Sequence, residues 1–201
     1  MTGQVAGLVL AAGAGTRFGA PKALVELDGE RLVDRAVRVL REGGADPVVV
    51  VTGAAVLDVP GAVVAHNPAW PEGLGSSLRA GLDRLTGPPA LQAAAVLLVD
   101  QPGVTAGAVE RVVSAVRGED ALVVATFSGR WGHPVVLGRT HWAEAAALAE
   151  GDRGARALLR RRAVEVVEVE CGDIASGKDV DTVADLLTWT SRGTDPAGGA
   201  G

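Results

Sequence analysis

Short apolar runs alternate along the chain with stretches whose apolar residues recur every three or four positions. Val5–Ala12 reads as a buried strand. Leu32–Glu42 reads as a helix, with Val33, Ala36, Val37 and Leu40 on one face and Gly43-Gly44 as its stop. Asp46-Pro47 leads into Val48–Thr52, a continuous β-branched run of the kind buried on both sides of a parallel sheet. Ala62–His66 is a shorter candidate strand. Leu74–Leu85 aligns Leu78, Leu82 and Leu85 as a helix closed by Gly87-Pro88-Pro89. Ala94–Val99 is another buried strand. Thr105 is placed to cap a helix whose face is Val109, Val112, Val113 and Val116. Ala121–Thr126 reads as a strand, and Ser128–Gly138 as a glycine-rich irregular tract around Trp131-Gly132-His133-Pro134. Helical segments follow at Trp142–Glu150 and Ala155–Arg161. Val164–Glu170 alternates apolar and charged residues, the pattern of an edge strand. Val183, Leu186 and Leu187 mark a last helix, and Ser191–Gly201 has the composition of a disordered tail.

This alternation predicts an α/β fold: three layers, α/β/α, Rossmann-like, with a mostly parallel sheet and helices on both faces. One domain over residues 1–190 and a tail over 191–201 are expected. Ligands of such sheets bind beyond the carboxyl ends of the strands. The loop after the first strand and Asp100 both fall at such ends, so one crevice is expected between them.

The 201 residues, 48% of them hydrophobic, suffice for one sizeable core. A net charge of −5, no basic stripe and 3% aromatics argue against nucleic acid as a partner. Arg160-Arg161-Arg162 reads as a solvated helix end. One cysteine, Cys171, excludes an intrachain disulfide and fits a reducing compartment. No run is long and apolar enough to span a bilayer, and a soluble cytoplasmic protein is expected.

Five stretches carry candidate chemistry. The loop after the first strand has Gly13-x-Gly15-x-x-x-Gly19, with Arg17 inside it and Lys22 close behind as cations. The spacing matches neither the dinucleotide fingerprint nor the Walker pattern, and Pro21 forbids an immediate long helix. It is either an ordinary strand-to-helix turn or a triphosphate cradle, and the two cations favour the cradle. Asp100, at a strand end before Gln101-Pro102-Gly103, suits a hard cation or a turn cap. In Gly177-Lys178-Asp179-Val180-Asp181-Thr182, Asp181 or Thr182 caps the last helix, or Asp181 is a second carboxylate for the same cation. Gly73-Leu74-Gly75-Ser76-Ser77 opens a helix and either caps it or presents donors to a base or ribose. Gly132-His133-Pro134 and Gly151–Arg156 are candidate walls of a second-substrate pocket. His66, His133 and His141 lack metal-ligand spacing, and Cys171 reads as a passive small residue.

Together these residues resemble a known family. Leu10-Ala11-Ala12-Gly13-x-Gly15-Thr16-Arg17-Phe18-Gly19-x-Pro21-Lys22 is similar to the signature loop of nucleotidyltransferases with a GT-A-like fold. Glu72–Leu78, Asp100-Gln101-Pro102, Gly132–Val135, Gly151–Arg156 and Asp179–Thr182 resemble the molybdenum cofactor cytidylyltransferase branch; the guanylyltransferase branch tends to Asp-Met-Pro at the second of these. The resemblance implies transfer of CMP from CTP to molybdopterin with release of pyrophosphate. It implies that Leu10, Ala11, Ala12, Gly13 and Gly15, with the cations Arg17 and Lys22, hold the nucleotide's phosphates. The resemblance further implies that Gly75, Ser76 and Ser77 lie by base and ribose and that Gly132, His133 and Pro134 border the acceptor. It implies that Asp100 and Asp181 bind Mg²⁺, or Mn²⁺ in its place, with Arg17, Lys22 and Asp100 as the catalytic set. A molybdoenzyme or its chaperone is an implied partner. The alternatives are a same-fold transferase using another triphosphate such as GTP, or another acceptor, and a non-catalytic chaperone of the cofactor.

An acceptor phosphate is already an anion and needs no strong general base. The requirement is to bring two anions together and to stabilise the leaving pyrophosphate, a task for cations and positioning.

Overall fold

The computed structural model describes residues 4–87 and 91–191, with side chains through Trp189 in the last helix. The expected Pro88-Pro89 stop and the tail beyond residue 191 lie outside the described residues; Ser191 itself ends a helix.

In chain order, β1 (Gln4–Leu10) is followed by a glycine loop, one 3-10 turn (Lys22–Leu24) and a small hairpin, β2 (Glu26–Leu27) and β3 (Glu30–Arg31). Then come α1 (Leu32–Glu42), β4 (Val48–Thr52), β5 (Val63–His66), α2 (Leu74–Leu85), β6 (Leu91–Leu98) and α3 (Ala106–Val113). β7 (Leu122–Phe127), β8 (Arg130–Gly138), α4 (Trp142–Leu148), α5 (Arg156–Arg161), β9 (Val166–Glu170) and α6 (Val183–Ser191) complete it. Seven strands form one sheet in the order β5-β4-β1-β6-β8-β7-β9. All neighbours run parallel except β8, which is antiparallel to both β6 and β7.

The central strands are apolar throughout because both their faces are covered. Val5 and Val9 of β1, Val48 and Val50 of β4, and Ala93, Ala95 and Leu97 of β6 face one cluster with α1 and α3. Their alternates, Ala6 and Leu8, Val49 and Val51, Ala94 and Val96, face a second cluster with Leu78, Leu82 and Leu85 of α2, Trp142 of α4 and Leu158 of α5. Two clusters split by strand alternation are the three layers that the pattern predicts. Thr105 Oγ1 accepts from the Ala108 amide at 3.2 Å and caps α3 as expected. β9 lies at the sheet edge, with Val167, Glu168 and Glu170 exposed and Val166 and Val169 half-buried. Arg161 and Arg162 end α5 in ion pairs to Glu144. Among the described residues no helix is long and apolar enough to cross a membrane.

One expectation is overturned. Ser128–Gly138 is not irregular: β8 occupies Arg130–Gly138, and Ser128-Gly129 is a two-residue hairpin turn with both φ angles positive (53° and 73°). The Glu170 carboxylate holds that turn. It accepts from the Ser128 amide (3.0 Å), the Gly129 amide (3.3 Å) and the Thr126 hydroxyl (2.9 Å). Smaller differences lie at element ends: β1 stops at Leu10, β5 starts at Val63, β6 runs from Leu91 to Leu98, and α4 stops at Leu148. The residues before β9 form a 3-10 turn that leaves Val164 98% exposed.

Candidate active site

β1 and β6 are hydrogen-bonded neighbours with Leu10 opposite Leu98, so the chain leaves both strands at one point of the sheet. The glycine loop starts there, beside the turn that carries Asp100. Ala11 and Ala12 are still buried, and Gly13 is exposed. The loop then doubles back: the Gly15 carbonyl accepts from the amides of Phe18 (2.8 Å) and Gly19 (2.9 Å). Gly15 has φ +60°, and a Cβ there would overlap the Ala20 carbonyl, so the turn requires glycine. Pro21 precedes the single 3-10 turn of Lys22–Leu24, in keeping with the expected lack of a long helix. Arg17 is exposed and forms no ion pair among the described residues.

Lys22 points the other way, into the sheet end. Its Nζ donates to Asp100 Oδ2 at 2.9 Å and to Asp181 Oδ1 at 2.6 Å. The two aspartates expected to share a cation are therefore neighbours, and the cation between them is the Lys22 ammonium. Burial works against that charge, but the hydrogen bonds and fields of Asp181 and Asp100 outweigh it and hold the lysine pKa above its ordinary value. The side chain of Lys22 is 15% exposed, that of Asp100 23% and that of Asp181 49%. Asp100 Oδ1 is buried without a hydrogen-bond partner.

Backbone bonds bring Asp181 across. The Val180 amide donates to the Asp100 carbonyl (2.8 Å) and the Ser176 amide to the Gly103 carbonyl (2.9 Å). Arg35 of α1 donates to the Pro102 carbonyl at 2.9 Å and steadies the same turn. Asp181 is not the cap of α6. Thr182 and Asp185 form a capping box, with the Asp185 amide bonding Thr182 Oγ1 (3.2 Å) and Asp185 Oδ2 accepting from the Thr182 amide (2.8 Å). This leaves the Asp181 side chain for Lys22.

Two further residues, unassigned from the sequence, belong to this cluster. Gln101 Nε2 donates to Asp179 Oδ1 at 2.8 Å, while Gln101 Oε1 is buried and unpartnered. Burial, with Asp100 and Asp181 nearby, pushes the Asp179 carboxyl above the usual carboxylate range. The spacing of Asp179 from Asp181 was the only signal, and alternation along an extended segment does not tell which carboxylate points inward.

The start of α2 lies at the same end of the sheet, after β5. Ser76 and Ser77 are buried, and their hydroxyls accept from Asn67 Nδ2 at 2.9 and 3.2 Å. Ser76 also donates to the Gly73 carbonyl at 2.8 Å. Neither serine is the N-cap, since the helix begins at Leu74. A Cβ on Gly75 would come 2.6 Å from the Ala149 carbonyl group, so the segment before Gly151 packs directly on the helix start. Arg79 donates to the Ala149 carbonyl as well. Trp70 packs on the second core cluster.

β8 runs antiparallel with Val135 opposite Val96, which sets Gly132, His133 and Pro134 beside the end of β6. Burial and the Arg156 guanidinium hold the His133 imidazole down at about 4, so it is neutral at pH 7. No hydrogen bond joins Gly75–Ser77 or Gly132–Pro134 to the Lys22 cluster among the described residues. Cys171 is fully buried, and burial pushes its thiol up and away from reactivity. His141 Nε2 donates to the Asp120 carbonyl (2.9 Å) and has a structural place.

The donor set fits a hard divalent cation in part. Asp100 offers a buried oxygen without a partner, and Asp181 a half-exposed carboxylate beside it. Two carboxylates plus substrate phosphates suit Mg²⁺ or Mn²⁺. Among the described residues no group of three acidic, His or Cys side chains is arranged to hold a metal alone.

Residues 7–166 match the MobA-like NTP transferase domain. The chain is 36% identical over 205 residues to nicotine blue oxidoreductase of Paenarthrobacter nicotinovorans, covering 90% of this chain and 94% of that protein. It is 41% identical over 105 residues to a probable molybdenum cofactor guanylyltransferase of Opitutus terrae, about half of each chain (51% and 50%). The crystal structure of Rv0371c from Mycobacterium tuberculosis superposes with a TM-score of 0.80 at 27% identity, over 95% of this chain and 100% of that one. The same protein has been solved in complex with manganese, with a TM-score of 0.75 at 26% identity over 94% and 98%. The chain belongs to the MobA-like NTP transferase family.

Proposed function

We propose that this protein is a nucleotidyltransferase that moves CMP from CTP to a molybdopterin-type acceptor and releases pyrophosphate. The observation that carries the reading is the meeting of Lys22, Asp100 and Asp181 at the mouth of the glycine loop, with one Asp100 oxygen left unpartnered. That is a nucleotide-phosphate loop and a carboxylate pair at one strand end.

In this reading the backbone around Leu10–Gly15 and the exposed Arg17 hold the triphosphate. Asp100 and Asp181 hold Mg²⁺ or Mn²⁺, and the existence of a manganese complex of Rv0371c supports a divalent cation. The bound cation supplies charge neutralisation to the leaving pyrophosphate. Lys22 places a second positive charge next to the same phosphates. Gly75, Ser76 and Ser77 form the wall beside base and ribose. The serine hydroxyls there are held by Asn67, which fixes the wall in place. Gly132, His133 and Pro134 border the acceptor, and a neutral His133 adds no charge to that pocket. The acceptor phosphate attacks as an anion, so the chemistry asks for no general base. The chain acts as a single domain over residues 1–190, in the cytoplasm, and hands its product to a molybdoenzyme or its chaperone.

CTP rather than GTP is supported by Gln101 after Asp100 and by the Gly75-Ser76-Ser77 helix start. The relative named as a guanylyltransferase supports GTP instead. A redox role is favoured by the relative named nicotine blue oxidoreductase. Against it, the loop lacks the dinucleotide spacing and β4 ends on Thr52-Gly53 without an acid.

The test is pyrophosphate release measured with each nucleoside triphosphate, molybdopterin and Mg²⁺ or Mn²⁺, alongside an assay for reduced-nicotinamide oxidation. CTP-dependent release is expected. GTP preference would move the assignment to the guanylyl branch, and nicotinamide oxidation without release would remove the transferase reading.

A further inference from the structure

Lys22 sets its ammonium between Asp100 and Asp181, the two carboxylates that the proposed function gives to a divalent cation. Its ammonium, largely buried, is 2.9 Å from Asp100 and 2.6 Å from Asp181. Two carboxylates this close, with a third, Asp179, beside them, destabilise each other unless a positive charge lies between. Lys22 is that charge in the ligand-free protein. A lysine ammonium is a point charge on a flexible four-carbon stem, so it can leave one partner for another without backbone movement. The stem starts at Lys22, directly after the loop that the proposed function assigns to the triphosphate, which puts those phosphates within its reach.

We propose that Lys22 is an exchangeable internal counter-ion that couples metal binding to nucleotide binding. With no nucleotide, the ammonium competes with a divalent cation for Asp100 and Asp181. A triphosphate offers Lys22 stronger anionic partners and draws it off the carboxylates, which the divalent cation then takes. Metal alone is bound weakly, nucleotide and metal together tightly, and each raises the affinity for the other by the same factor. The proposal rests on the reading of Asp100 and Asp181 as the metal-holding pair. It adds that the lysine of the loop gates that pair.

The experiment is Mn²⁺ binding, followed by the electron-spin signal of the free ion, on full-length wild type, Lys22→Met and Asp100→Asn, each with and without CTP. Wild type is expected to bind Mn²⁺ weakly alone and about tenfold or more tightly with CTP, within the usual range of coupling between sites. Lys22→Met is expected to bind Mn²⁺ alone more tightly than wild type and to show a smaller CTP effect, limited to what the phosphates themselves contribute as ligands. Equal or weaker Mn²⁺ binding by Lys22→Met without nucleotide would overturn the proposal. Asp100→Asn separates the underlying reading: if it leaves Mn²⁺ binding untouched in both states, the metal assignment itself fails.

Thermal unfolding guards against a misfolded variant. Lys22→Met, with its carboxylates uncompensated, should melt below wild type in chelator. Added Mn²⁺ should raise its midpoint by more than it raises that of wild type. A variant that melts low and gains nothing from Mn²⁺ counts against the exchange.

Discussion

Lys22 and Asp181 stand 159 residues apart in the chain and 2.6 Å apart in the fold. The first loop and the last turn before α6 thus close on each other across the end of β6. Asp181 is the half-exposed member of the cluster, and Asp100 the more buried one with an oxygen unpartnered.

Asp100→Ala and Asp181→Ala should therefore differ in degree. Asp100→Ala is expected to lower the rate of pyrophosphate release by about a hundredfold or more, in the range seen when a charge-stabilising group is removed. Asp181→Ala should cost less, because its carboxylate is more solvated. A cofactor chaperone without transferase chemistry would retain cellular activity with Asp100→Ala, which separates the two readings.

Gly75→Ala tests the start of α2. Its Cβ would come 2.6 Å from the Ala149 carbonyl group, and this contact involves backbone on both sides. The segment before Gly151 must then lift off the helix. A loss of about 1–3 kcal/mol in denaturant unfolding is expected for such overpacking, with a raised KM for the nucleotide. Wild-type stability together with wild-type KM would remove this wall from the site.

Glu170→Gln tests the hairpin that carries Gly132–Pro134. Three backbone amides, of Ser128, Gly129 and Gly172, and the Thr126 hydroxyl hold the Glu170 carboxyl below its ordinary value of 4.5. A depressed folded-state pKa contributes stability that is present above the unfolded value and lost as pH falls through the folded one. The variant should thus melt below wild type at pH 7, and the gap should close as pH falls below about 4.5. A constant gap from neutral to acid pH would show that charge is not what holds the turn.

Thr105→Ala removes the side-chain cap of α3. A loss of about 1 kcal/mol is expected, read in thermal or denaturant unfolding with no change in nucleotide KM. The helix buries Ala108, Val109 and Val112 against the sheet, so packing retains the rest of its stability.

Much of the architecture was legible because period and burial agree locally. Val48–Thr52 is apolar at every position and is buried at every position. The face of α1 read from Val33, Ala36, Val37 and Leu40 is the buried face. β8 was not legible. Glycine, histidine and proline break the β pattern over Arg130–Pro134, and the strand is held by neighbours on both sides and by Glu170 rather than by propensity. The two short hairpin turns, Asp28-Gly29 and Ser128-Gly129, carry positive φ at both residues, and such dipeptides are the local signal of a hairpin.

Residue types and spacing alone determined a loop of glycines with two cations, and carboxylates at a strand end and before the last helix. Spacing does not say which side chains meet, because pairing across 78 and 159 residues depends on how strands β1 and β6 are ordered and where the chain after β9 returns. Tertiary structure alone decided that Arg17 faces solvent while Lys22 turns inward between Asp100 and Asp181. It also decided that Gln101 and Asp179 join the cluster, since buried charges must find partners wherever packing leaves them.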